Sequence, residues 1–381
     1  MDEATLWRRH LHAHPEAGFA EHATAAFVAE RLEGFGLEVA RGVGGTGVVG
    51  TLRGQARGEG RAIALRADMD ALCQTEAAPD RPWRSTVPGR MHACGHDGHT
   101  AALLAAARRL AARPDFSGTV HFLFQPAEEH GQGMQAMLDD GLLERFPFSE
   151  AYGFHNMPGL ERGTCVAPEG PVMAAEDNFE VTITGRGGHA ARPHMVIDPI
   201  VAAAAVVLEL QQIVARRLDP SEPAVVSVTE VTTNGLRNVI PDWARLSGDC
   251  RSFRPEVSAA IEAEMRRIAL SVAAAHGAAA EVVYTRSFVP TVNAAAPTAA
   301  ARRAARAALG TVTESCPRMM TSEDFARLLE RVPGCFVFFG NGTESPPLHN
   351  AAFDFDDRLL EPIAAWAEAL VRDRLGLDGG V

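Results

Sequence analysis

The segment Met91-His92-Ala93-Cys94-Gly95-His96-Asp97-Gly98-His99-Thr100 concentrates three imidazoles, a thiol and a carboxylate in ten residues. Cys94 and His96 are separated by one glycine, and in an extended segment residues i and i+2 face the same side. Both can then aim at one point. A thiolate paired with an imidazole suits zinc or another first-row metal better than magnesium or calcium. Gly95 and Gly98 permit a tight turn or a close approach of backbone to an ion. The competing reading is a polar turn in which Cys94 is buried as a small hydrophobe.

Other groups of the same chemistry occur wherever a strand should end. Arg61 to Arg66 reads as a buried strand running into Asp68-Met69-Asp70. Gly118 to Phe124 reads as a second, ending at Gln125-Pro126-Ala127-Glu128-Glu129, and Ala151 to Phe154 as a third, ending at His155-Asn156. The Ala/Leu-rich run from Thr100 is a strong helix former between the first two. This alternation implies a parallel sheet, where ligands collect beyond the carboxyl ends of the strands. Asp68, Asp70, Glu128, Glu129 and His155 therefore share one rim with the Cys94-His96 loop. The apolar strand Cys335 to Phe339 feeds a loop bearing His349, which can reach the same rim.

Between these segments the pattern changes to β-α-β-β-α-β, the order of a ferredoxin-like layer. The expected organisation is an α/β, mainly parallel catalytic domain (1–176 and 290–381) interrupted by an inserted ferredoxin-like domain (177–289). A long helix is expected over Pro199 to Arg217. Ser322-Glu323-Asp324 reads first as the cap and acidic first turn of another helix, and second as a catalytic pair. The N-terminal helix carries His10, His12 and His14, which read as surface residues. The glycines at 42, 44, 45 and 47 do not form a phosphate loop, since neither Lys-Ser/Thr nor a helix follows.

Composition narrows the function classes. The chain has 381 residues, 46% hydrophobic and 22% charged, the balance of an ordinary globular protein of two domains. Its net charge of −12 argues against nucleic-acid and anionic-membrane binding. Six cysteines without paired spacing suggest reduced thiols and a cytoplasmic protein, and the start has no signal-peptide character.

Together these motifs resemble the metal-dependent amidohydrolase family of hippurate hydrolases, aminoacylase-like enzymes and auxin–amino acid conjugate hydrolases, and more distantly carboxypeptidase G. The matching segments also include Arg9-His10-Leu11-His12, Gly187-Gly188-His189-Ala190-Ala191, Asn238-Val239-Ile240-Pro241-Asp242 and Leu348-His349-Asn350. The resemblance implies two divalent metals (Zn, Mn, Ni or Co) held by Cys94, His96, Glu129, His155 and His349, with Glu128 as general base. It implies Asp70 behind a metal ligand, and a homodimer formed through the inserted domain, with His189 stabilising the oxyanion in the neighbouring subunit. Asn238 and Arg251 are candidates to hold the substrate, although a surface ion pair accounts equally well for Arg251. Adjacent side chains of an extended Glu128-Glu129 segment would point apart, one to metal and one to substrate. Cys73 departs from the family's usual Pro and reads as a packing residue. The implied reaction is amide hydrolysis of a small N-acyl amino acid, N-acetyl or hippurate-like. A dipeptidase or aminopeptidase, and a non-catalytic metal-bound binding protein, remain alternatives on the sequence.

Overall fold

The structure, a computed structural model, describes residues 2–56 and 61–376. It divides into two compact units. The first comprises Met1–Val172, Val292–Pro317 and Asp324–Val381. Its seven-stranded sheet has the order Glu38–Val43, Gly47–Arg53, Thr119–Gln125, Ala62–Asp68, Glu150–Pro158, Gly334–Gly342, Cys165–Val166. The four strands from Thr119–Gln125 to Gly334–Gly342 pair in parallel; the outer pairings are antiparallel. These central strands are buried almost throughout, as expected of strands covered on both faces.

Register sets the rim. Asp68 pairs with Gln125, and Arg66 with Gly153, which brings His155 level with Asp68. The helix His96–Ala112 has little amphipathic character because nearly its whole length is buried, and its alanines allow close packing. The closing helix Leu360–Leu375 packs beside it with Trp366, Leu370 and Val371 in the same core.

The second unit comprises Met173–Thr291 and Arg318–Glu323. Its antiparallel sheet has the order Ala224–Thr233, Trp243–Ser252, Ala175–Thr184, Ala279–Phe288. Phe179, Val181, Ile183 and Leu246 meet Val206, Ile261 and Met265 from the helices Pro199–Leu210 and Pro255–Ala275 in a separate core. Among the described residues no helix is long and apolar enough to cross a membrane.

Several local expectations change. The helix expected to reach Arg217 ends at Leu210, and a π-helical turn covers Ile213–Arg217. Ser322-Glu323-Asp324 does not open a helix with acids in its first turn: the next helix is the short Ala326–Leu329, its N-cap is Phe325, and Asp324 is buried in an ion pair with Arg66. Residues 318–323 pack with the second unit, although sequence continuity assigned them to the first. His12 is buried, bonded to Asp97, because its face of the helix turns inward; His10 and His14 are exposed. Cys73 is exposed, its sulfur 3.2 Å from an Arg90 guanidinium nitrogen, so packing does not account for it.

Candidate metal centre

The Cys94-Gly95-His96 turn depends on Gly95. Its φ of 99° lies in the left-handed region, and a Cβ there would sit 2.1 Å from the Asn156 side-chain oxygen. The turn starts the helix at His96 and leaves Cys94 Sγ 3.3 Å from His155 Nε2. Gly95→Ala is expected to cost at least about 1–3 kcal/mol of stability and to reduce bound metal. Thermal denaturation and metal content measure both; wild-type values for each would refute this role.

Asp70 organises the neighbouring elements. Its Oδ1 and backbone oxygen face His96 Nδ1 at 3.2 and 2.9 Å, and its two carboxylate oxygens accept the backbone N–H groups of Glu128 and Glu129 at 3.1 Å each. The hydrogen of His96 is thereby drawn to Nδ1, leaving Nε2 as a lone-pair donor. Just before the glutamates, Ala127 has φ 48° and donates its N–H to Glu21. Glu128–His130 forms a single 3-10 turn instead of an extended segment. Successive side chains then differ by about 120° instead of pointing oppositely, and one carboxylate oxygen from each glutamate lies within 4.8 Å of a His96 ring nitrogen and of the other.

His349 also has a left-handed backbone, φ 62°, and its N–H donates to Ala93 O at 2.8 Å. Its Nε2 is 3.3 Å from Glu129 Oε1, while its side chain remains 52% exposed. His155 donates from Nδ1 to the Asn156 carbonyl at 2.6 Å, which turns Nε2 toward Cys94. Cys94, His96 and His155 thus present donor atoms within 4.8 Å of one another, as do Cys94, Glu129 and His349. The Cys94 sulfur is common to both sets.

The donors fit divalent cations. His96 Nε2 is buried and has no hydrogen-bond partner, and Glu129 Oε1, also buried, makes no well-formed hydrogen bond although His349 Nε2 lies 3.3 Å away, which is costly unless something else satisfies them. Burial, followed by the Glu129, Glu128 and Asp68 carboxylates, pushes the Cys94 thiol well above its ordinary range. Burial alone would lower His96, but Asp68, Asp70 and Glu129 outweigh it and raise its pKa to about 10. Burial, then His99, hold His155 well below the usual imidazole range, the neutral form that ligates metal. Cations placed among these carboxylates would compensate the charge that keeps Cys94 and His96 protonated.

How the supporting residues pair, and the burial of Arg66 among them, escaped the sequence reading. His99 Nδ1 bonds Asp68 at 2.7 Å and its Nε2 meets the Asn156 side-chain oxygen at 2.7 Å, so it braces the rim and lacks a free donor. Asp68 pairs with the buried Arg66, which also pairs with Asp324. Asp324 accepts from Gln125 and from the Met134 N–H. An arginine inside an otherwise apolar strand was the available signal, since a buried guanidinium requires carboxylate partners.

The remaining candidates lie in the second unit. His189 is exposed and pairs with Val239 in a two-stranded ribbon; Ala190 N–H donates to Asn238 O. His189 Nδ1 accepts the Ala191 N–H at 3.0 Å, which places the ring proton on Nε2 as an outward donor. Arg251 is engaged by Glu176 at 2.7 Å, Asp249 at 2.9 Å and the Ser322 hydroxyl at 2.8 Å. These are the contacts of an ion-paired structural arginine.

Comparison with known proteins agrees with this architecture. The model for "Peptidase family M20/M25/M40" matches residues 64–372. N-acetylcysteine deacetylase of Bacillus subtilis (strain 168) is 41% identical over 356 residues, covering 93% of this chain and 92% of its own. Hippurate hydrolase of Campylobacter jejuni is 37% identical over 366 residues, covering 94% and 93%. A crystal structure from Bacillus subtilis, described as a dinuclear metal binding peptidase from the M20 family, superposes with a TM-score of 0.85 at 37% identity, covering 97% of this chain and 96% of that one. This chain belongs to peptidase family M20/M25/M40.

Proposed function

We propose that the protein is a metal-dependent amidohydrolase that cleaves N-acyl amino acids, N-acetyl or hippurate-like, to a carboxylic acid and a free amino acid. The observation that carries this reading is the convergence of the unpartnered His96 Nε2 and the buried Glu129 Oε1 with Cys94, His155 and His349 beside the buried carboxylate of Glu128. The two donor sets sharing Cys94 support two metal positions, one held by Cys94, His96 and His155 and one by Cys94, Glu129 and His349. Divalent ions held there would polarise the acyl carbonyl and lower the pKa of the attacking water.

Glu128 then takes a proton from the water on its carboxylate and passes it to the leaving amine nitrogen. Asp70 keeps both glutamates and His96 in place by accepting their N–H groups. His189, its proton on Nε2, donates to the developing oxyanion from the neighbouring subunit of a homodimer. In support of a dimer, the ten-residue strand Ala224–Thr233 lies at a sheet edge, and Leu208, Val231 and Leu236 are exposed in the same unit. Six free cysteines agree with a cytoplasmic location.

Dialysis of the protein against a strong chelator is expected to abolish hydrolysis of N-acetyl amino acids and hippurate. Adding back Zn, Mn, Ni or Co singly should restore it and identify the metal. Full activity in a sample verified as metal-free would overturn the proposal.

A further inference from the structure

His349 must be delivered by a segment, Ser345 to Phe353, that contains no regular secondary structure. Its left-handed φ makes the placement less favourable still for a β-substituted residue. Surrounding structure must therefore over-determine this loop. The loop is held at its far end by Arg81, whose guanidinium donates to Phe353 O at 2.8 Å and Ala352 O at 3.1 Å. Arg81 is in turn fixed by Glu76 Oε1 at 2.5 Å, and Glu76 Oε2 accepts the Ser85 N–H at 2.7 Å.

The same oxygen, Glu76 Oε1, faces His12 Nε2 at 3.4 Å, and the Arg81 guanidinium lies 3.4 Å from that nitrogen as well. The other His12 nitrogen, Nδ1, lies 2.8 Å from Asp97 Oδ2. Asp97 follows His96 in the first turn of its helix. His12, Asp97 and Glu76 are almost wholly buried, so their contacts are little screened by water. A continuous path therefore runs from the His96 turn through Asp97, His12, Glu76 and Arg81 to the loop bearing His349. None of these four residues is among the donors proposed for metal.

Resting on the proposed metal centre, we infer that His12 is a positioning residue that, through Glu76 and Arg81, sets the His349 loop against the helix that begins at His96. The inference predicts an effect on metal affinity that passes through His349. Mn²⁺ alone is titrated by calorimetry into the chelator-stripped full chain. His12→Ala and Arg81→Met are each expected to weaken Mn²⁺ binding roughly 10- to 100-fold. In a His349→Ala background neither change should weaken it further, since the ligand they position is already gone. Arg81→Met, at the outer end of the path, gives the answer if His12→Ala does not fold.

Unchanged Mn²⁺ affinity in a folded variant of this pair would overturn the inference while leaving the metal centre intact. An equal further loss in the His349→Ala background would also overturn it, because the effect would then be general destabilisation. If the wild-type chain takes up no Mn²⁺, Zn²⁺, Ni²⁺ or Co²⁺, the metal-centre reading and this inference both fall.

Discussion

Glu128→Gln is expected to retain bound metal and lose turnover by roughly 100- to 10,000-fold, the range for removing a general acid–base. An amide of the same shape cannot take a proton from water at neutral pH, but it can occupy the same buried position. The neighbouring change, Glu129→Gln, should lose metal as well, because Glu129 Oε1 is the buried carboxylate oxygen that faces both His96 and His349. Metal content by elemental analysis and steady-state kinetics on both variants separate the roles. Equal metal loss in the two would show that the 3-10 turn presents both carboxylates to metal, and a Glu128→Gln enzyme with near wild-type kcat would remove Glu128 as the base.

His189→Ala should lower turnover by about 100- to 1,000-fold, the usual loss for one oxyanion donor. Its metal content should be unchanged, since His189 belongs to none of the donor sets. If the residue acts across subunits, mixing inactive Glu128→Gln with inactive His189→Ala chains should regenerate activity. A mixed dimer then contains one site with both residues intact. Differently tagged chains that co-purify without restoring turnover would reject the trans arrangement, and a monomer at assay concentration would reject it earlier. His189→Gln tests the donor itself: a side-chain amide in reach of the same position should recover part of kcat with little effect on KM.

The rim was legible in the sequence because of a general property of parallel sheets. Buried apolar runs end where the backbone leaves the core, so polar residues written just after them share one edge. Cys94, His96, Glu128, Glu129 and His155 could be placed together on that ground, and the pattern change after residue 176 separated the ferredoxin-like unit. His349 was weaker from sequence, because a loop of irregular backbone separates it from its strand.

Tertiary structure decided what pairs with what. Nothing in the local pattern of Arg8-Arg9-His10-Leu11-His12 marks His12 as buried, since its partner Asp97 lies 85 residues away. The same holds for Asp324, whose place beside Arg66 spans 258 residues; read locally, a Ser-Glu-Asp run before a hydrophobic segment is a helix cap. The geometry of Glu128-Glu129 was likewise hidden, because the 3-10 turn is set by the Asp70 carboxylate and by Glu21. Periodicity and strand ends report local backbone and burial, whereas buried charges are placed by long-range partners that satisfy them. The sequence by itself determined which chemistry gathers at the rim; only the tertiary structure decided which groups are braced and which buried donor atoms, His96 Nε2 and Glu129 Oε1 among them, face the candidate metal centre.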